Sequence, residues 1–70
     1  MRIKLSKREY DTLIRLGFTD ADIANQLNIQ ICTVKAYVRA LKMKFGADTR
    51  GKVILYAIRK DIVNPYNFIL

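Results

Sequence analysis

Apolar residues recur at helical spacing along most of the chain, and capping signals divide them into four segments. Ser6-Lys7-Arg8-Glu9 has the form of a capping box, with Leu5 and Tyr10 at the flanking staple positions. Tyr10, Leu13, Ile14 and Leu16 continue the spacing, and Gly17 suits a left-handed C-cap, which predicts a helix over 7–16. Thr19 and Asp22 repeat the cap with Phe18 and Ile23 as staple. Ile23, Ala24 and Leu27 form the stripe and Asn28 the turn, predicting a helix over 20–27. In a third helix, over about 31–45, Val34, Val38, Leu41 and Phe45 share one narrow line, and Gly46 ends it. Asp48 or Thr49 caps a fourth, over about 50–61, with Val53, Ile54, Ala57 and Ile58 apolar and Pro65 as the stop.

No segment alternates in the way a half-buried strand does, so the fold expected is all-α, a four-helix helix-turn-helix domain over 1–61 with an apolar tail over 62–70. The second and third helices are three or four residues apart, the proportions of a helix-turn-helix. Ala24 is small enough for close approach, and Ile23, Leu27, Ile29 and Val34 supply the contacts between them.

Charge changes the picture of the third helix. The chain carries a formal net charge of +7, and its distribution is uneven. Residues 1–34 hold five basic and four acidic side chains, whereas 35–60 hold eight basic side chains against Asp48 alone. The stretch VKAYVRALKMKF, 34–45, has four cations and no acid, although solvated helices usually mix the signs. Lys35, Arg39 and Lys42 form a line about 100° from the apolar edge, with Cys32, Ala36 and Met43 just beyond it. Cations concentrated on one helix beside small residues call for a polyanion, with nucleic acid ahead of membrane.

Other chemistry is sparse. There is no histidine, and Glu9/Asp11 and Asp20/Asp22 are spaced so that each pair diverges around a helix. They read as capping and solubilising residues, so no enzyme, catalytic residue, metal or cofactor is expected. Cys32 is the single cysteine, which excludes an internal disulfide and suits a reducing compartment. It reads as a small packing residue. The start of the chain lacks the apolar run of a secretion signal, and no window is long enough to span a bilayer.

The stretch from Leu5 to Arg50 resembles the DNA-binding domain of the LuxR/GerE family of bacterial transcription regulators. Leu5, Ser6, Arg8 and Glu9 match its opening. Gly17, Thr19, Asp22, Ile23, Ala24 and Leu27 match its second helix. Thr33-Val34-Lys35 open its recognition helix, and Lys44, Phe45, Gly46 and Arg50 match the segment after it. The resemblance implies that the third helix enters the major groove, with Lys35, Ala36 and Arg39 facing base edges. It makes Thr33, Tyr37, Lys42, Lys44 and Arg50 phosphate contacts. It also implies a homodimer on double-stranded DNA through the fourth helix, where Val53, Tyr56 and Ala57 share a side. Departures are Gln30 in place of serine, Ala21 in place of lysine and Tyr37 in place of histidine. With nothing before residue 1, the chain resembles the stand-alone members. The expected setting is the cytoplasm of a bacterial cell, with a phage or plasmid gene left open.

An alternative reading is a small protein-binding modulator of RNA polymerase or of another transcription factor. The tail IVNPYNFIL motivates it, being apolar and without charge. Two outcomes are open for this tail: folding back on the domain's own core, or packing across a dimer or onto a protein partner.

Overall fold

The computed structural model describes residues 3–69, and among them the secondary structure is helical. Leu70, counted above in the apolar tail, lies outside the described residues. Helix α1 spans Lys7–Leu13, α2 Asp20–Leu27, α3 Ile31–Phe45 and α4 Arg50–Arg59, and a short 3-10 turn follows at Pro65–Asn67. The long α3 packs against each of the other three helices. Its Val34, Val38, Leu41 and Phe45 are buried among Leu13, Leu16, Ile23, Leu27, Val53 and Ala57. The line drawn from spacing is therefore the axis of the core.

The starts of the helices follow the capping signals. The Ser6 hydroxyl accepts from the Glu9 amide at 3.1 Å while the Glu9 carboxylate accepts from the Ser6 amide at 2.9 Å. Thr19 accepts from the Asp22 amide at 3.2 Å and Thr49 from the Lys52 amide at 3.2 Å. Of the two candidates for the last cap, Thr49 thus serves. Gln30 is the exception: it precedes α3 and gives no side-chain hydrogen bond to it.

Three helices end alike. Asn28, Gly46 and Asp61 have φ of 56°, 63° and 55°, in the left-handed region. Behind each, paired amides close onto the last turn: Ile29 to the Ala24 carbonyl at 3.0 Å, Ala47 to Lys42 at 2.9 Å and Ile62 to Ala57 at 3.0 Å. Asp61, not Pro65, therefore ends α4, which stops at Arg59 rather than near 61. Pro65 instead sits in the 3-10 turn, opened by the Asn64 side chain accepting from the Tyr66 amide at 3.0 Å.

Helix α1 is also shorter than its spacing predicts, and Gly17 does not take a left-handed conformation. The Arg15 amide donates to the Thr12 carbonyl at 3.0 Å, a tighter turn than a continuing α-helix makes, while the Arg15 guanidinium donates to the Asp11 carbonyl at 2.8 Å. Two more turns of this tighter kind carry the chain through Leu16, which stays buried, to Phe18. The Ile14 carbonyl is taken by the Ile69 amide at 2.8 Å. That bond brings the tail back across the domain. Val63 is 3% exposed, and Ile62 and Phe68 pack partly buried against the core.

Candidate nucleic-acid interface

The solvent side of α3 is set by what its buried line leaves over. With Val34, Val38, Leu41 and Phe45 turned inward, Cys32, Lys35, Ala36, Arg39 and Met43 are exposed and Lys42 is half-buried. Met43 is 77% exposed and Ile31 46%, so large apolar groups flank the cations. Among the described residues no carboxylate pairs with Lys35, Arg39 or Lys42. All three border a hollow of about 400 Å³ whose other walls are Val38, Asp20 and Arg50. A second hollow, of about 460 Å³, lies beyond Arg39 and Lys42 at the corner between α3 and α4.

Three further cations, Lys44, Arg50 and Lys52, are engaged within the fold. Lys44, on the opposite side of α3, donates to the Glu9 carboxylate at 2.7 Å and to the Lys4 carbonyl at 3.0 Å. Burial pushes the Glu9 carboxyl up, but hydrogen bonds from Lys44 and Ser6 and the lysine charge outweigh it and hold it below the usual range. Arg50 pairs with Asp20 and also donates to the carbonyls of Leu16 at 3.1 Å and Phe18 at 2.6 Å. One guanidinium thereby fixes the turn between α1 and α2 to the start of α4, a geometry that suits its planar fork. Lys52 donates to Asp48 at 3.0 Å. That bond holds the Asp48 carboxyl below its ordinary value and raises the Lys52 ammonium.

The sequence-predicted residues therefore separate. Lys35, Ala36, Arg39 and Lys42 share one solvent face. Thr33 and Tyr37 are half-buried toward another side. Lys44 and Arg50 hold elements together. Val53 and Ala57, expected at a dimer interface, are both 0% exposed, because they face the core of their own domain and offer no surface to a second copy. Tyr56 is half-buried beside the corner hollow. The outward side of α4 carries Gly51, Ile54, Leu55 and Ile58 instead, with Leu55 47% exposed.

A short helix and a long one joined by a left-handed Asn28, the second carrying free cations, define a helix-turn-helix domain. Residues 4–57 match the family described as bacterial regulatory proteins, luxR family, and the protein belongs to it. It is 41% identical over 58 residues to the HTH-type transcriptional activator RamA of Corynebacterium glutamicum, covering 80% of this chain and 21% of that one. It is 35% identical over 60 residues to the uncharacterized transcriptional regulatory protein YxjL of Bacillus subtilis, covering 83% and 28% respectively. The chain thus spans less than a third of either relative. No solved structure matches it. Among the described residues no helix is long and apolar enough to cross a membrane.

Proposed function

We propose that the protein is a sequence-specific regulator of transcription that binds double-stranded DNA in the bacterial cytoplasm, with α3 in the major groove. The observation that carries this reading is the selective freedom of the α3 cations. Lys35, Arg39 and Lys42 have no acidic partner among the described residues, while Lys44, Arg50 and Lys52 each have one. Lys35 and Arg39 donate to guanine O6 and N7, and Ala36 meets a thymine methyl. Lys42, at the rim of both hollows, takes a backbone phosphate, and Thr33 and Tyr37 take phosphates from their own side. Lys44 and Arg50 act first through the fold, by placing α1, α2 and α4 around α3.

The protein binds as a two-fold dimer through the outward side of α4, where Ile54, Leu55 and Ile58 present apolar surface around Gly51. The reading as a modulator that engages other proteins through its tail has less support, because Val63 is buried and Ile69 is bonded to Ile14. Selection of bound fragments from random duplex DNA tests the reading. It is expected to enrich an inverted repeat with half-sites about 34 Å apart. Binding to that site then falls linearly in log K against log salt, by about 0.9 for each phosphate engaged. Recovery of unenriched fragments, or a flat salt response, would overturn it.

A further inference from the structure

The free cations of α3 border a line of residues that the DNA-binding reading uses only in part. The buried line of the helix is Val34, Val38, Leu41 and Phe45. Two positions before each of these stand Cys32, Ala36, Arg39 and Met43. Two residues turn a helix by about 200°, so this second line lies nearly opposite the core. All four of its members are exposed. They form the ridge of α3 that stands farthest from the domain's own body, with Lys35 and Lys42 flanking it on one side and Thr33 and Tyr37 on the other. A solvated helix places its charges on such a ridge, yet three of the four residues here carry none. Cys32 and Ala36 are small, whereas Met43 is a long apolar side chain, 77% exposed. Met43 borders the corner hollow with Ala47 and Tyr56, but at that exposure it is not packed into it.

We infer that Met43 is a further sequence-reading residue of α3, its thioether end seated on a thymine methyl in the major groove. The inference rests on the DNA-binding reading above. A single exposed apolar residue carries no weight by itself. The weight here comes from its place on the ridge. The rims of a major groove are phosphates and its floor is base edges, among which the thymine methyl is the apolar group. A ridge uncharged along most of its crest, with cations along its flank, has the complementary arrangement. Met43 lies seven residues beyond Ala36 and within about 20° of it around the helix, or about 10 Å along the axis. For a helix lying along the groove, that is about two to three base pairs at ~3.4 Å each. The small Cys32 and Ala36 let the first turns of α3 approach the floor closely, and a long, flexible side chain spans the wider gap farther along. The half-site is therefore longer than Lys35, Ala36 and Arg39 alone define, with a thymine at the added position.

The test takes the selected site and replaces each thymine in turn by uracil, which removes the methyl group and leaves the hydrogen-bonding edge unchanged. The full chain is compared with its Met43→Ala and Met43→Leu variants. At one thymine, about two to three base pairs from the one that Ala36 meets, the methyl is expected to raise wild-type affinity about fourfold, the worth of one buried methyl group. Met43→Ala is expected to lose about as much on the thymine duplex and to be indifferent to uracil at that position. It keeps the response at the Ala36 thymine, and Met43→Leu keeps most of both. Thermal midpoints stay equal, since the side chain is exposed. A Met43→Ala protein with unchanged affinity and the full wild-type response at every thymine would overturn the inference. So would an equal loss on the thymine and uracil duplexes, which would make Met43 a backbone contact, or a selected site with no thymine at that distance. Absence of site-selective binding by the wild type would remove the DNA-binding reading itself, an outcome distinct from these.

Discussion

Arg39 and Arg50 are the same residue type, eleven positions apart. Arg39 stands in solvent without a carboxylate partner, and Arg50 reaches three oxygens from the turn before α2 and its first residue. The two sides of α3 show the same contrast: Lys44 is held by Glu9, and Lys35 is free. Net charge therefore overstates what is available to a ligand. What counts is which cations the fold has already neutralised, and that is decided by carboxylates and carbonyls brought in from distant segments.

The sharpest way to break this contrast is at Arg50. Arg50→Ala leaves Asp20 and two carbonyls without their donor and is expected to cost about 2–3 kcal/mol, read from the urea midpoint. Arg50→Lys recovers less than half, since one ammonium does not reproduce the fork. A stability equal to wild type for Arg50→Ala would erase the distinction. Arg39→Ala is the converse. It is expected to leave stability within about 0.5 kcal/mol and to weaken binding to the selected site by about 1–3 kcal/mol, with a much smaller loss on random DNA. Lys42→Ala, by contrast, weakens both about equally. Equal losses on both DNAs for Arg39→Ala would reassign that residue to the backbone.

A smaller effect separates the two sides of α3 by pH. The Glu9 carboxyl is held below its reference value of 4.5, so the Lys44–Glu9 contribution is fully present above that pH. It is lost as pH falls through the lower value of the folded state. Denaturation between pH 6 and 3 is expected to show wild type losing more stability than Glu9→Gln, which itself costs about 1 kcal/mol at neutral pH. Parallel curves would mean that the pair is spectator to the fold. The smallest effect lies at the start of α3, which lacks the side-chain cap that α1, α2 and α4 have. Gln30→Ser is expected to add about 0.5–1 kcal/mol by thermal melting without changing which site is bound.

These residues also show what was legible beforehand. Ser6, Thr19, Asn28 and Gly46 act on neighbours within five residues, so their roles can be read from a short window. The bounds of α2 and α3 followed from them. The end of α1 was not legible, because the chain leaves it through tight turns at Arg15, Leu16 and Phe18 whose apolar spacing still resembles a continuing helix. Asp61 was missed since aspartate in the left-handed region is uncommon enough that Pro65 was the stronger stop signal. Lys44 and Glu9 are 35 positions apart and Arg50 and Asp20 are 30, separations at which no local pattern connects a charge to its partner. Val53 and Ala57 were placed on the right stripe of α4. Spacing identifies an apolar stripe but not whether the domain's own core or a second copy covers it, and here α3 does.

The bond from the Ile69 amide to the Ile14 carbonyl ties positions 55 apart across the whole domain. In the language of hydrogen exchange, that amide is a latch reporter. Helical amides of α3 exchange only when the core opens, whereas Ile69 exchanges whenever the tail lifts, whatever the helices do. Its protection factor therefore measures how firmly the tail is shut. Because the bond closes a long loop, that protection is also expected to appear late in refolding, after α2, α3 and α4 have docked through their shorter connections.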